Sequence, residues 1–518
     1  MLEMYAPMVN SPITELATAI DDTQTTIEVV DGSKLPDAPN LAMIGLGENT
    51  ETILYTQKDG NVLSGVTRGF QGIAKAWPQG TRVARFFAAY DQMAIQENIK
   101  ILDQSLATHL KETVTGIVNV VTAFGAVGDG ITPAADSIQR AIDSLPPEGG
   151  VIYVPPGTYL LEKTILLPSN IRFVGSGRTT VLKGDFGSYV DPVLIGLKGC
   201  TTATGYDAVE NVVIEGIAID SPITNGIGLA HGKNIVIRNI YGVRIYWHYI
   251  DIAGCQNVLC ENLYLMGGAD NPAFQIDNLS GDGGLKVFDG TTEINANVDG
   301  TGTDGVILTK SVIQQDNQSY PIHLHRSGGK NIVIRDCKII GGMHGIYQDV
   351  NTAWENILID GVTFINQTER CVWLRERGNN PFERNKKVKI RNCHCLDFGY
   401  QGIVIDGWED VLIDGCTITG LYRDSQLGHF YTNISVWNCD GAIVSNILIT
   451  GENESPYGIR VIQNSQHVII ANCIIKNANI GLLVNVNSRV KYAGVTFVNV
   501  TTQTMTESGG TFESYPIS

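Results

Sequence analysis

One short line of alternating apolar and polar residues recurs along the chain. It reads NVVIEGI from Asn211, NIVIRNI from Asn234, NVLCENL from Asn257, NIVIRDC from Asn331, NILIDGV from Asn356, VKIRNC from Val388, DVLIDGC from Asp410, AIVSNI from Ala442 and HVIIANC from His467. Alternation with a period of two is typical of a strand with one buried face. A strand that returns at regular intervals predicts the coils of a parallel β-helix.

The residues near the end of each line predict a sharp corner followed by an inward column. The corner positions are Gly216, Asn239, Asn262, Asp336, Gly361, Asn392, Gly415, Asn446 and Asn472, residue types that tolerate left-handed backbone. Adjacent corners lie 23 to 31 residues apart, except across a wider gap from 262 to 336 that holds an extra rung and a polar insertion. The next position carries Cys337, Cys393, Cys416 and Cys473 beside Val362 and Ile447. With ten cysteines and no CxxC spacing, we expect reduced, packed thiols and no metal site.

The remaining patterns divide the chain into four segments. Residues 1–87 predict a small β module, with a hairpin at Asp59-Gly60. Residues 88–115 predict a helical linker in which Ile95, Ile99, Leu102 and Leu106 form a heptad seam, either a short trimeric coiled coil or a lone helix packed on its own domain. Residues 116–500 predict the β-helix, and residues 501–518 a polar C-terminal tail.

Composition and net charge limit the kinds of partner that the chain can bind. Its 36 Lys and Arg residues against 53 Asp and Glu residues give a formal net charge of 36 − 53 = −17. This acidic charge argues against nucleic-acid binding, and an anionic ligand would require a locally basic groove. No apolar run reaches the ~18 residues of a membrane span, so no membrane insertion is expected. The start of the chain, MLEMYAPMVNSP, shows no signal-peptide pattern.

A specific resemblance supports these predictions. The segment FGAVGDGITPAADSIQRAIDSLPPEGGVIYVPPGTYLL resembles the opening of the pectate-lyase-like superfamily, which heads many phage tail spikes and depolymerases. It implies an all-β fold, a right-handed parallel β-helix whose open end is capped by the helix SIQRAIDSL. The stretches YAPMVNSPITELA and GVTRGFQGIAKAW resemble virion-attachment modules of Gram-positive phage tail proteins. The resemblance therefore implies a virion-bound tail protein, attached to the phage tail or baseplate and assembled as a homotrimer. The superfamily implies its chemistry only loosely.

A second strand of each coil carries an unusual outward face. Aligning its apolar residues gives a first outward column of Gly228, Asp251, Gln275, His323, Tyr347, Trp373, Val404, Ser435 and Arg460, and a second of Ala230, Ala253, Asp277, His325, Asp349, Arg375, Asp406, Trp437 and Ile462. Chemistry-bearing residues are concentrated in the middle, and small or apolar residues lie toward the ends. We expect the polar loops 279–304 and 376–387 to wall this face as a groove. The alternative is a stacked ion-pair network that only stabilises the sheet.

These columns predict a glycan-cleaving site. The candidate catalytic residues are Asp277, Asp349, His325 and Asp251, and the candidate substrate-binding residues are Gln275, His323, Tyr347, Trp373, Arg375, Asp406, His248 and His344. Asp277 and Asp349 lie in one column, two rungs apart. Because neighbouring strands lie ~4.8 Å apart, the two residues are separated by roughly 9.6 Å, which fits the carboxylate pair of an inverting glycosidase. The favoured function is an endo-acting hydrolase of a bacterial surface polysaccharide.

Three other functions stay open. They are a polysaccharide lyase acting by β-elimination, a phosphodiesterase of wall teichoic acid and a non-catalytic glycan-binding tail fibre. No cofactor is predicted, although a divalent cation such as calcium is compatible with a lyase.

Overall fold

The structure is a computed structural model that divides into two compact units, Met1–His109 and Leu110–Ser518. It describes residues 2–46, 49–100, 117–189, 191–267, 271–279, 285–316, 318–325, 328–348, 354–375, 385–420 and 431–514. Three predictions fall at least partly outside these ranges: the position of Asp349, the second half of the heptad seam (Leu102 and Leu106), and most of the loop 376–387 that we expected to wall the face.

The first unit is a small antiparallel β module. Its five-stranded sheet contains Ile13–Glu15, Asn40–Leu46, Asn49–Tyr55, Thr67–Gln71 and Arg82–Ala84, and its three-stranded sheet contains Ile27–Glu28, Gln57–Asp59 and Val62–Ser64. A short 3₁₀ turn spans Gly32–Lys34. The predicted hairpin is confirmed, since Gly60 adopts left-handed backbone between two paired strands. A helix over 89–100 follows, and Ile95 on it is 40% exposed.

The second unit is a parallel β-helix made of three ladders. Sheet 1 contains Ile117–Asn119, Gly150–Val154, Ile171–Gly175, Val209–Ser221, Gly232–Ile245, Gln256–Glu261, Asp304–Thr309, Lys330–Arg335, Glu355–Asp360, Asn385–Arg391, Trp408–Asp414, Asp440–Ser445, Val468–Ala471, Arg489–Ala493 and Thr511–Ser514. Sheet 2 adds Asp129–Pro133, Gly157–Leu161, Thr180–Gly184, Tyr264–Met266, Val312–Gln315, Lys338–Gly341, Thr363–Ile365, His394–Leu396 and Thr417–Gly420, and shares the strands from Val209 and Gly232.

Sheet 3 carries the face that the sequence singles out, and we call it the site sheet. It contains Ile165–Leu167, Val193–Leu197, Asn225–Ala230, Ile250–Ala253, Phe274–Asp277, Ile322–Leu324, His344–Gln348, Arg370–Arg375, Gln401–Asp406 and Thr432–Trp437. Three long strands, Leu448–Ile462, Ile474–Asn485 and Thr496–Glu507, turn from sheet 2 into the site sheet. A separate hairpin, Lys286–Phe288 with Glu293–Asn295, belongs to the insertion within 279–304.

The predicted corners are confirmed at every position. From Gly216 to Asn472 each has a positive φ, between 51° and 67°. Asparagine also suits a second corner at the start of each line, where side-chain amides bond from coil to coil. Asn257 Nδ2 donates to Asn234 Oδ1 at 3.2 Å, and Asn356 Nδ2 donates to Asn331 Oδ1 at 2.7 Å. These side-chain ladders tie successive turns together on the outside, in parallel with the backbone ladder.

The interior is a continuous apolar column that includes the cysteines. All ten are unbridged and buried, and Cys337, Cys393, Cys416 and Cys473 lie in the column that the sequence predicts. Each of these four thiols donates to a carbonyl oxygen two residues before it, as Cys393 Sγ does to Arg391 O at 3.1 Å. Burial raises the pKa of Cys473 to about 11. The thiols therefore act as small packing groups.

The two ends of the β-helix differ in how they are finished. At the N-terminal end, the helices Val120–Phe124 and Ala135–Asp143 cover the first coils, and Ile138, Ala141 and Ile142 are buried as the capping prediction requires. At the C-terminal end the predicted polar tail is instead the last coil. Thr502 and Thr504 pair with Ile480 and Leu482, and the ladder continues to Ser514. The strand Thr496–Glu507 keeps many exposed polar residues, and these are the residues that suggested a tail.

Candidate functional site

The register of the site sheet matches the alignment made from apolar residues. In the first column the pairs run from Gly228↔Asp251 through Asp251↔Gln275, Gln275↔His323, His323↔Tyr347, Tyr347↔Trp373, Trp373↔Val404 and Val404↔Ser435 to Ser435↔Arg460. In the second column Ala253 pairs with Asp277, and Arg375 pairs with Asp406. The stacking order of the candidate residues is therefore confirmed over the described strands.

Asp277, His325 and Asp251 form the acidic end of this face. Asp277 Oδ2 lies 2.8 Å from His325 Nδ1, and Asp277 Oδ1 accepts a hydrogen bond of 2.7 Å from the Asn278 amide. Asp251 lies one rung away and two residues along, a Cα separation of about 8 Å from strand spacing and rise per residue. Gln275, directly beside Asp251, donates from Nε2 to Asp251 Oδ1 at 3.5 Å. The two carboxyl groups are thus diagonal neighbours with a histidine on the far side of Asp277.

The surroundings of Asp251 favour its neutral form. Burial is the largest cause and the charge of Asp277 adds to it, and together they raise the pKa of Asp251 to about 7; His325 and the Gln275 hydrogen bond act in the opposite direction. Asp251 keeps a partly exposed side chain, so a solute can reach it. A carboxyl group with this pKa can donate a proton near neutral pH. Asp277, which accepts from two donors, is oriented as an acceptor.

His248 is held as a neutral, buried ring beside these carboxyls. Burial lowers its pKa to about 4, and Asp277 and His325 are among the charged groups that act on it. Its Nδ1 lies 2.6 Å from the Pro272 carbonyl, so that nitrogen carries the proton, and its backbone amide donates to Asn225 Oδ1. The ring therefore holds the backbone at Pro272, just before the site-sheet strand Phe274–Asp277.

The middle of the face is a packed cluster of aromatic rings and guanidinium groups. The ring of Tyr347 lies 5.2 Å from that of His323 and 4.3 Å from that of Tyr320. Arg375 Cζ lies 4.3 Å from the Trp373 centroid and donates a hydrogen bond to the Tyr347 hydroxyl. Tyr347 and His323 are buried, whereas Trp373 is partly exposed. Of the aromatic residues predicted to bind substrate, Trp373 is thus the one that a sugar can reach.

Arg370 and His344 belong to the same cluster, and both contact the ring of Trp373. The Arg370 guanidinium lies 4.0 Å from the Trp373 centroid, bonds Glu369 at 2.5 Å and bonds Gln401 at 2.8 Å. The ring of His344 stands edge-on to Trp373 at 4.8 Å. Burial, followed by the charge of Arg370, lowers the pKa of His344 to about 2, so it is neutral. These contacts fix the ring of Trp373. Arg370 is one of the basic residues from which the sequence predicts a locally basic groove, and it also supports the ring of Trp373.

The N-terminal end of the face is covered by part of the insertion within 279–304, one of the two loops that we expected to wall the face. Gly196 and Gly228 leave room above the sheet that apolar residues of the insertion fill. A Cβ on Gly228 would lie 2.5 Å from Leu285 Cδ1, and one on Gly196 would lie 3.0 Å from Val287 Cγ1. The Phe288 amide donates to Thr164 Oγ1 at 2.8 Å. The paired glycines were the available signal, and they mark the seat of the insertion.

The return of the insertion supports Asp277 directly. Thr303 Oγ1 donates to the Asp277 carbonyl oxygen at 2.5 Å and accepts from the Gly254 amide at 2.9 Å. Further along, the two ring nitrogens of buried His231 each lie 2.8 Å from a carbonyl oxygen, one of Gly205 and one of Asn297. The insertion is therefore fastened at both its middle and its end.

The structure brings together most of the predicted site. Asp251, Gln275, Asp277, His325 and His248 form the acidic end, and His323, His344, Tyr347, Trp373 and Arg375 form the cluster beside it. Asp406 lies one rung further, beside Arg375. Asp349 lies outside the described residues, so the predicted carboxyl pair of Asp277 and Asp349 stays a prediction. The diagonal pair of Asp251 and Asp277 is the carboxyl pair that the structure describes.

Two other kinds of site are absent from the described residues. No group of three or more His, Cys, Asp or Glu side chains among them could hold a metal ion. No helix among them is long and apolar enough to cross a membrane.

Fold and face together define a parallel β-helix with carboxyl groups on one outward face. The family model "Rhamnogalacturonase A/epimerase, pectate lyase-like" matches residues 117–373, and "Right handed beta helix region" matches residues 382–512. The second unit is therefore a right-handed parallel β-helix, and its residues 117–373 are similar to the pectate-lyase-like family, as the resemblance of its opening implies.

Curated relatives include phage tail proteins and a surface protein. The chain is 24% identical to the plasmin and fibronectin-binding protein A of Streptococcus pneumoniae over 57% of its length, and 30% identical to the pre-neck appendage protein of Bacillus phage phi29 over 30%. It is 27% identical to the tail spike protein of Shigella phage Sf6 over 28%. These matches cover 38%, 19% and 22% of the relatives' own lengths.

Solved structures share the fold. An N-terminal fragment of phage phi29 gene product 12 aligns with a TM-score of 0.53 at 19% identity, over 80% of this chain and 75% of that chain. The Streptococcus pneumoniae adhesin PfbA aligns with a TM-score of 0.52 at 18% identity, over 76% of this chain and all of that chain. At these identities the likeness concerns the fold alone.

Proposed function

We propose that the chain is a phage tail-spike protein that hydrolyses a bacterial surface glycan on the site sheet. The observation that carries the hydrolase assignment is the diagonal pair of Asp251 and Asp277, two carboxyls in unlike environments on one rigid sheet. The similarity to phage tail and appendage proteins supports the virion setting, with the first unit as the attachment module. The exposed Ile95 on helix 89–100 supports assembly as a trimer.

The mechanism follows from the difference between the two carboxyls. Asp251, with its pKa raised to about 7, donates a proton to the oxygen of the leaving sugar. Asp277, held by His325 and the Asn278 amide, removes a proton from the attacking water. The separation of about 8 Å is between Cα atoms, and the side chains set the distance between the two carboxyl groups. Carboxyl groups about 6.5–9.5 Å apart act by inversion with a water between them, and groups about 5–5.5 Å apart act by retention.

The test is a pair of isosteric variants assayed on purified bacterial capsule, lipopolysaccharide O-chain and wall teichoic acid. We expect Asp277→Asn to lower turnover by several orders of magnitude while binding and thermal stability remain close to wild type. Asp207→Asn, an exposed carboxyl outside the site sheet, is the matched control and should keep most of the activity. Near-normal turnover by Asp277→Asn would exclude this carboxyl as the base.

A second candidate is a non-catalytic glycan-binding protein, favoured by the similarity to a streptococcal surface adhesin. Under this function Asp251 and Asp277 would only bind sugar hydroxyl groups. The same experiment separates the two functions, because a pure adhesin would retain glycan without releasing new reducing ends. A lyase would be distinguished by products that absorb near ~235 nm, the signature of an unsaturated uronic acid.

A further inference from the structure

The outward face of sheet 1 carries a continuous column of apolar residues, which we call the apolar stripe. The register from strand to strand stacks its members in the order Val213, Val236, Leu259, Ile307, Val333, Leu358, Lys389, Leu412, Ile443 and Ile469. Lys389 is the one interruption among these described strands. The residues on either side of each member point inward and form the core, as Ile235 and Ile237 do beside Val236. The stripe is therefore a second apolar surface, on the outside of the coil.

The fold itself does not require apolar residues on an outward face. In the same coils, the outward column of sheet 2 runs Lys338, Thr363, His394 and Thr417. At the N-terminal end of the stripe, Val213 and Val236 are buried. From Leu259 to Ile469 every apolar member keeps a partly accessible side chain, and Ile443 is 41% exposed. This part of the stripe is therefore an apolar surface that other parts of the chain leave uncovered.

The accessible part of the stripe is large enough for a specific protein interface. It crosses eight rungs, from Leu259 to Ile469, which span ~34 Å at ~4.8 Å per strand. The polar columns on its two sides lie two or three residues away along strands that rise ~3.3 Å per residue, so the surface is about 20 Å wide with them. Its area is then roughly 680 Å² per copy, and two such faces would bury about 1,360 Å², within the ~1,200–2,000 Å² of specific interfaces.

Two columns of polar and charged residues flank the stripe. One runs Glu210, Lys233, Gln256, Asp304, Lys330, Glu355, Lys386, Glu409 and Asp440, and the other runs Glu215, Arg238, Glu261, Thr309, Arg335, Asp360, Arg391, Asp414 and Ser445. The sign of the charge mostly alternates from rung to rung, so neighbours pair within the chain, as Lys330 does with Asp304 at 3.4 Å. A rim that neutralises itself does not select a charged ligand. An apolar centre with a polar rim is typical of protein–protein interfaces.

We propose that the apolar stripe is the face through which the β-helix packs against other copies of this chain. A second copy is the occupant because its stripe repeats with the same ~4.8 Å spacing, so the side chains of successive rungs keep matching along the whole contact. A globular partner without this repeat would match only a few rungs. The inference rests on the proposed assembly of several copies and adds to it a contact within the β-helix. It does not depend on the hydrolase assignment, because the stripe belongs to sheet 1 and not to the site sheet.

The first experiment compares two cysteine variants of the full-length chain. Ile443→Cys places a thiol on the stripe and Ile474→Cys places one on the outward face of sheet 2, and in the single chain the two isoleucines are 41% and 40% exposed. The ten native cysteines are buried, so they give a low background. In the assembled protein we expect a polyethylene-glycol maleimide to label Ile443→Cys at least tenfold more slowly than Ile474→Cys. After dilution to single chains, verified by sedimentation, the two rates should be similar.

The second experiment places charges on the stripe. Leu358→Asp with Leu412→Asp changes the stripe, and Thr363→Asp with Thr417→Asp is the matched control on the outward face of sheet 2 in the same coils. By sedimentation equilibrium, we expect the stripe variant to associate at least a hundredfold more weakly, whereas the control should assemble like the wild type. Melting curves would verify that both variants fold.

The possible outcomes separate the stripe from the rest of the assembly. Equal labelling of the two thiols in an assembled protein, or unchanged association of a folded stripe variant, would overturn the stripe as the interface and leave a trimer through helix 89–100 intact. Slow labelling of Ile443→Cys in single chains would show that something other than a second copy covers the stripe, and would also overturn the proposal. A wild type that stays a single chain at every concentration would overturn the stripe and the proposed assembly together, without bearing on the hydrolase.

Discussion

The raised pKa of Asp251 predicts a pH-dependent stability that Asp251→Asn abolishes. Burial and the charge of Asp277 raise this pKa from 3.8 to about 7, a shift of roughly three units. At about 1.36 kcal/mol per unit, ionised Asp251 costs the folded state up to about 4 kcal/mol. Because the side chain is partly solvated, we expect about 2 kcal/mol. The amide of asparagine has the same shape and no charge, so the variant avoids this term.

The sign of the effect follows from proton binding. Between pH 4 and 7 the unfolded chain has lost the Asp251 proton while the folded chain keeps it, so raising the pH favours unfolding. The contribution of this group is fully present at low pH and is lost as the pH rises through about 7. At pH 4 the wild type and Asp251→Asn should therefore be similarly stable, and at pH 8 the variant should be the more stable by about 2 kcal/mol.

The assay is unfolding by guanidinium at pH 4, 6 and 8, with unfolding rates compared if refolding is incomplete. Glu148→Gln, which removes an exposed carboxyl group, is the control and should leave the pH dependence unchanged. Parallel pH profiles for wild type and Asp251→Asn would refute the raised pKa. Activity gives an independent check, because an acid with this pKa predicts that kcat/KM falls about tenfold per unit above pH 7.

Three further outcomes are expected. Reducing agent should leave the melting temperature unchanged, and a large drop on reduction would reveal disulfides. Cys416→Asp should destabilise the fold by about 3–5 kcal/mol through an unpaired buried charge, against about 1–2 kcal/mol for Cys416→Ala. Sedimentation should give a trimer that Ile95→Asp with Ile99→Asp dissociates, and a stable wild-type monomer would contradict the heptad seam. Trp373→Ala should raise KM more than it lowers kcat, since the ring holds sugar away from the carboxyl pair; an unchanged KM would place the glycan elsewhere.

The sequence by itself determined the repeat and everything that depends on strict periodicity. Three features follow from a period of two within each strand and from one strand of each sheet per coil. They are the corners from Gly216 to Asn472, the inward cysteine column and the pairing from Asp251 to Arg460. These features are local, and a slip of one residue would turn apolar side chains outward, so the pattern has one consistent register.

Only the tertiary structure decided which outward residues are reachable and what covers the rest. Phe288 bonds Thr164 across 124 positions of sequence, and Leu285 fills the space above Gly228, because shape complementarity between distant segments leaves no periodic trace. From the sequence, Gly228 was expected at the end of the face where polar residues give way to small ones. In the structure, Leu285 of the insertion packs over it. The choice of Asp251 as the partner of Asp277, in place of Asp349 in the same column, also depends on the side-chain environment. Burial and a neighbouring charge set the pKa of Asp251, and neither can be read from strand spacing.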